Sequence, residues 1–326
     1  MTSSASTVTR LSAGMIAAFA AIYFFWGTTY LGIALAIETI PPFITGGTRF
    51  LISGLMMFVW LRWRDPRPFA DVNLPMAALT GVLLTGVGNG LVTWSQQGVP
   101  SGIAALIVTA VPVMVLLLDW AFFSKRAPSR PALIGTAIAF SGVVAIVTHT
   151  RSLSGEAQPL FILALIVSTI GWSSGTLIQK RVAKPGTVLS FTCAQMIFGG
   201  LFQLLLSVPD GEWSHFDVTA VTWVSLLALA HLIVFGSIIS LNCYLWLLTR
   251  VSASKAATYA LVNPVVALFL GALVLNERLT TLVLIAAGLV LVGVSLVLFQ
   301  DASWLKNLRR REPTQAEAVA ASSRSR

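Results

Sequence analysis

The chain has 326 residues, of which 56% are hydrophobic and only 10% charged, with a formal net charge of +9. A soluble domain carries roughly 25% charged residues to cover its surface, so these proportions exclude a water-soluble globule and leave lipid as the medium. The basic residues sit in short clusters between apolar runs, which points to membrane topology and away from nucleic acid. Cys193 and Cys243 both lie inside apolar runs, in no disulfide or metal-ligand pattern.

In chain order, residues 1–10 form a polar N-terminal segment, expected on the cytoplasmic side. A bilayer core takes about 20 mostly apolar residues per helix. By that measure the first half spans the membrane at 11–36, 42–61, 75–97, 100–123 and 131–148. Ala34-Leu35-Ala36 imitates a signal-peptidase site, but removing the first span would leave this half one helix short of the second. An outer connecting loop, 149–158, leads to spans at 159–179, 187–208, 221–248, 253–275 and 280–300, and 301–326 reads as a basic, disordered cytoplasmic tail.

Charge sets direction. With the N-terminus inside, the cytoplasmic segments hold Arg62, Arg64, Arg67, Lys125, Arg126, Arg130, Lys180, Arg181, Lys184, Arg250 and Lys255. The opposite segments hold Glu38, Glu156, Asp210, Glu212, Asp217 and Glu277, with Arg151 and Arg278. Positive residues on alternate loops put both termini in the cytoplasm.

The halves repeat. An offset of 146 places Trp26 on Trp172 and Gly54-Leu55 on Gly200-Leu201; one of 152 places Trp94 on Trp246 and Pro112-Val113 on Pro264-Val265. Five spans per half is an odd number, so the copies insert with opposite orientation. The expected fold is an all-α membrane protein of ten transmembrane helices built as two inverted five-helix repeats, the architecture of many secondary transporters. Pro112 and Pro264 interrupt matching helices and are the candidate hinges; packing kinks are the competing reading.

Polar side chains within hydrocarbon mark candidate sites. In the third span Thr85, Asn89 and Thr93 recur every four residues, and Trp94 lies beside them, which predicts a cavity wall; interhelical hydrogen bonding is the alternative. Trp26 and Tyr30 in the first span, Trp172 in the sixth, Asn242 and Trp246 in the eighth, and Tyr259 and Asn263 beside Pro264 complete the candidate substrate site. Arg49 can grip a carboxylate or reach the membrane interface, and His231 can relay protons or sit neutral. Asp119 is a candidate for charge or proton coupling, with pairing to Lys125 or Arg126 as the competing reading. The first, third, fourth, sixth, eighth and ninth helices are expected to wall the cavity.

The run Ala253-Ser254-Lys255-Ala256-Ala257, then Leu261-Val262-Asn263-Pro264-Val265, Gly271 and Leu275-Asn276-Glu277-Arg278-Leu279 resembles the signature of EamA-type permeases of the drug/metabolite transporter superfamily. Trp26-Gly27-Thr28 and Arg49-Phe50 are similar to that family too, and YddG-type amino-acid exporters are the nearest likeness. The resemblance implies a ten-helix carrier for amino acids or similar small metabolites in the cell (inner) membrane, working as an exporter by alternating access. Its partners are then a small-molecule substrate and the lipid bilayer, with no cofactor, metal, nucleic acid or enzymatic activity. A drug or nucleotide-sugar carrier of the same fold, a channel and a membrane-embedded enzyme are the other readings. One departure stands out: Ser124-Lys125-Arg126 occupies the place of Asn276-Glu277-Arg278, so Glu277 has no duplicate. The first span also lacks the glutamate that small four-helix drug exporters use for proton coupling.

Overall fold

The computed structural model describes residues 12–125, 127–153, 158–182, 184–251, 256 and 258–299. Ten long helices follow one another: α1 (Ala13–Ala36), α2 (Pro42–Arg64), α3 (Leu74–Ser95), α4 (Ser101–Ser124), α5 (Arg130–Leu153), α6 (Gln158–Val182), α7 (Val188–Leu206), α8 (Trp223–Leu248), α9 (Tyr259–Val274) and α10 (Thr281–Leu298). Among the described residues, nine are long and apolar enough to cross a membrane and α9 is shorter. The start expected for the ninth span falls largely on 252–255 and 257, outside the described residues, as does Arg126.

Local sequence sets the helix starts. Ser12, Asn73, Thr222 and Thr280 each accept a backbone N–H of the first turn with a side-chain oxygen. Pro41 and Pro100 occupy the N-cap positions of α2 and α4, where a missing N–H costs little. Lys125 (φ 52°), the C-cap of α4, and Asn276 (φ 55°), two residues beyond the end of α9, are both left-handed. These two mark the same point of the repeat, one residue off the 152 offset.

The inversion is visible in which ends meet. The N-terminus of α2 lies against the short helix Glu212–His215 that follows α7, and the N-terminus of α4 lies against Glu277, which follows α9. α2 and α4 therefore start where their second-half counterparts, α7 and α9, stop. α5 packs along α10 and α2 along α7, whereas α1 packs on α8 and α9 as α6 packs on α3 and α4.

Between lipid-embedded helices there is little hydrophobic driving force, so close packing through small residues holds them together. A Cβ on Gly200 of α7 would stand 2.6 Å from the Leu51 nitrogen and 2.9 Å from the Gly47 oxygen of α2. These two backbones touch because no side chain intervenes.

Matched breaks occupy the middle of the bundle. α3 is π-helical over Val82–Asn89 and α8 over Leu232–Ile239. α4 turns at Thr109–Ala110, just before Pro112, and Pro264 lies inside α9. The hydrogen bonds of a π segment run i→i+5, which widens each turn and leaves carbonyls in need of donors. Ser168 Oγ of α6 donates to the Gly88 oxygen at 2.7 Å, and Trp26 Nε1 of α1 donates to the Gly236 oxygen at 3.0 Å. The two halves solve the same problem with counterpart helices.

Candidate functional site

Seven helices surround a central cavity of about 70 Å³. It is lined by Trp26, Thr29, Tyr30 and Ile33 of α1, Arg49 and Phe50 of α2, Gly88, Asn89 and Val92 of α3, and Val108 and Val111 of α4. Ser168 and Trp172 of α6, Gly236 and Leu241 of α8, and Tyr259 and Asn263 of α9 complete it. That volume holds a few waters, well below the ~300 Å³ lower bound of ordinary small-molecule pockets. A solute larger than that enters only after the helices part, so this conformation is nearly closed.

Of the residues singled out in the sequence, Trp26, Tyr30, Asn89, Trp172, Tyr259, Asn263 and Arg49 come together on this lining. Trp26 is the hub. Its ring meets those of Tyr259 (centroids 4.8 Å apart), Tyr244 (5.2 Å) and Trp172 (5.8 Å). Tyr23 Oη of α1 and Thr258 Oγ1, just before α9, share a hydrogen bond of 2.6 Å. The Asn263 amide, with its nitrogen turned toward the neighbouring carbonyls, donates to the oxygens of Tyr259 (3.2 Å) and Tyr23 (3.1 Å).

Other expectations need correcting. The third-helix stripe is not a cavity wall: only Asn89 lines the cavity. Thr85 is buried and donates to the carbonyls of Gly81 and Gln195, and Thr93 donates to the Asn89 oxygen. For Thr85 the π segment accounts for this, because positions four apart no longer share a face when the turn widens; Thr93 lies beyond it in the α-helical stretch Gly90–Ser95 and is buried outside the lining. Trp94 packs between Phe43 and Phe161. Asn242 donates to the Ile238 oxygen and Met57 Sδ, and Trp246 lies under the Arg250 guanidinium; neither lines the cavity.

His231 is outside the lining too. It shares a 2.9 Å hydrogen bond with Thr28 and packs on Phe25 and Phe235. Asp119 pairs with Arg181 of α6 at 3.4 Å rather than with Lys125, its sequence neighbour. Helix two also joins the wall, through Arg49 and Phe50. Arg49 does not reach for the interface: it is 3% exposed, and its Nε donates to Ser237 Oγ at 2.7 Å. Pro112 begins the second part of α4, beside the lining residue Val111, and Pro264 follows Asn263, so both interruptions border the cavity.

The far end is closed by two carboxylates that sequence reasoning did not place. Glu212 accepts the N–H groups of Phe43 (2.7 Å) and Ile44 (2.8 Å), the first two free donors of α2 after Pro42. Glu277 accepts those of Ser101 (2.7 Å) and Gly102 (3.1 Å) at the start of α4. Both are charge-assisted helix caps that tie the second half to the first. Burial pushes the Glu212 carboxyl above the ordinary glutamate range, the Phe43 and Ile44 N–H groups pull it back in part, and nearby Asp210 adds to the rise. Glu212 also borders a wider cavity of about 450 Å³ at this end, beside Glu38, Asp210, His215 and Asp217.

With this geometry in view, the comparison with known proteins is decisive. The model of the EamA-like transporter family matches residues 12–148 and again 159–299. The chain belongs to the EamA-like transporter family. Among its relatives is the uncharacterised inner membrane transporter YedA of Escherichia coli K12, 34% identical over 85% of this chain and 88% of that one. The uncharacterised transporter YoaV of Bacillus subtilis is 24% identical over 82% of this chain and 91% of its own, and protein PagO of Salmonella typhimurium is 25% identical over 84% and 89%. A crystal structure 17% identical in sequence superposes with a TM-score of 0.63 over 92% of this chain and 100% of that one, which supports the fold alone. This EamA-family chain is thus a membrane transporter with a small-molecule substrate.

Proposed function

We propose that this chain is a secondary transporter that exports amino acids or similar small metabolites across the cytoplasmic membrane by alternating access, with both termini cytoplasmic. The observation that carries the proposal is the central cavity. It lies where the two inverted halves meet, beside π segments in α3 and α8 and prolines in α4 and α9. Interrupted helices in matching positions of an inverted repeat are the usual place of a carrier's binding site. Trp26, Tyr30, Trp172 and Tyr259 supply aromatic surface for an apolar body, and Asn89 and Asn263 supply amide groups for polar ends. Rocking one half against the other exposes this place to each side in turn. Pro112 and Pro264 serve as the bending points.

Counterflow in proteoliposomes tests the function. Purified protein preloaded with one unlabelled amino acid is expected to accumulate the same labelled amino acid, saturably, and no exchange across a panel of amino acids would sink the assignment. A channel would pass solute without exchange, and electrical recording tells the two apart.

A further inference from the structure

We infer that the guanidinium of Arg49 binds a carboxylate of the transported solute, so that the carrier selects organic carboxylates. The inference rests on the carrier reading above and narrows its substrate.

Arg49 reaches the central cavity from α2 and is 3% exposed. Among the described residues its side chain makes one hydrogen bond, from Nε to Ser237 Oγ, and Nη1 is buried without a partner. The Phe50 ring, 4.7 Å from the guanidinium carbon, adds a weak cation–π contact. Among the described residues, no Asp or Glu lines the cavity. A permanent cation held inside the hydrocarbon layer with no counter-ion is costly, and such residues pair or mark a solute path.

The repeat supplies an internal control. Gln195 of α7 stands where Arg49 stands in α2, at the offset of 146 that also joins Gly54 to Gly200. Its Nε2 donates to Thr80 Oγ1 at 2.8 Å and Gln179 Oε1 at 3.1 Å. Packing at this point of the fold is therefore met by a neutral, well-bonded amide. The first half departs from it by placing a charge whose hydrogen-bonding capacity is left open. The planar fork of Arg suits the two oxygens of a carboxylate.

Gly236 keeps the approach clear: a Cβ there would stand 2.8 Å from Nη2. The aromatic remainder of the lining then faces the apolar body of the solute. One cation matches one carboxylate, which favours a monocarboxylate over a multiply charged phosphate.

The test uses the full-length protein in detergent and in proteoliposomes, with phenylalanine, 3-phenylpropionate, phenylalaninamide and phenethylamine as probes. Phenylalanine and 3-phenylpropionate are expected to bind and exchange roughly ten to a hundred times better than the two probes without a carboxylate. Arg49→Gln should abolish that preference and Arg49→Lys should keep part of it. Gly236→Ala, which leaves the charge in place, should weaken the carboxylates alone. Gel filtration of each variant confirms that it folds, and Gly236→Ala decides the matter should Arg49→Gln fail to. Equal handling of all four probes, or a carboxylate preference that survives Arg49→Gln, overturns the inference while leaving a carrier. Exchange of none of the four overturns the inference for this aromatic solute class, and the amino-acid reading falls with it only if the full amino-acid panel also fails to exchange.

Discussion

Removing the Glu212 carboxylate tests how the halves are held together at the acidic end. Glu212→Ala leaves the N–H groups of Phe43 and Ile44 without their acceptor, in a place where Glu212 itself is only 6% exposed. An orphaned buried donor costs about 1–3 kcal/mol, so two cost about 2–5 kcal/mol once water has recovered part of the loss. For a chain of this length each kcal/mol moves the melting temperature by about 2 °C, which gives a drop of roughly 4–10 °C. The Phe43 N–H bonds one carboxylate oxygen and the Ile44 N–H the other, so Glu212→Gln keeps an acceptor for one of them and turns an NH2 against the second. Because burial raises the Glu212 pKa, the charge is the disfavoured part of the arrangement and the oxygen the favoured part. The glutamine variant should therefore lose one of the two bonds and fall about half as far as Glu212→Ala. Thermal unfolding of the purified protein, followed by gel filtration or tryptophan fluorescence, supplies both numbers. If Glu212→Ala melts with the parent, or Glu212→Gln falls as far as Glu212→Ala, the reasoning about this cap is wrong.

Three further outcomes follow from the same contacts. A carboxyl whose pKa is raised by folding stabilises most below its unfolded value of about 4.3 and loses that contribution as pH rises through the folded value. The parent should therefore gain stability relative to Glu212→Gln between pH 7 and pH 5, and a relative loss on acidification would contradict the sign. Ser168→Ala leaves the Gly88 carbonyl of the α3 π segment without its donor and should cost about 1–2 kcal/mol; an unchanged melting temperature would remove that support for the matched breaks. Gly200→Val forces α2 and α7 apart and should cost about 1–3 kcal/mol or more, whereas Gly288→Val, where a Cβ meets nothing within 4 Å, should be near neutral. Equal melting of the two valine variants would show that the close approach of α2 and α7 is dispensable.

The fold is legible in the sequence because its determinants are coarse. Apolar runs longer than the bilayer is thick, basic loops on alternate sides and an odd number of spans per half need no atomic detail. The paired tryptophans and prolines reveal the repeat because they are rare enough not to coincide by chance. Three members of the aromatic hub are legible too, because Trp26, Trp172 and Tyr259 are large side chains in mid-span, whereas Tyr244 carries no such signal.

What escaped the sequence depended on backbone detail. A four-residue stripe assumes an α-helical turn, and the π segment at Val82–Asn89 turns Thr85 away from the lining that Asn89 faces. Periodicity cannot report that change of register. Glu212 and Glu277 looked like loop acids on the outer side, since nothing local tells a carboxylate that caps a distant helix from a solvated one. Pro42, which deprives α2 of a first N–H, was the nearest available signal for Glu212. Asp119 shows the same limit: its partner Arg181 is 62 positions away, where sequence proximity does not look for it.

Asn89 lies on the cavity lining at the meeting of the halves, so its accessibility reports on alternation most directly. Asn89→Cys, in a background with Cys193→Ser and Cys243→Ala, is placed in membrane vesicles of each orientation and treated with a membrane-impermeant maleimide. Alternating access predicts labelling from either side, with transported solute shifting reactivity from one side to the other. Labelling from one side alone under every condition, or from both sides with no response to solute, would contradict it.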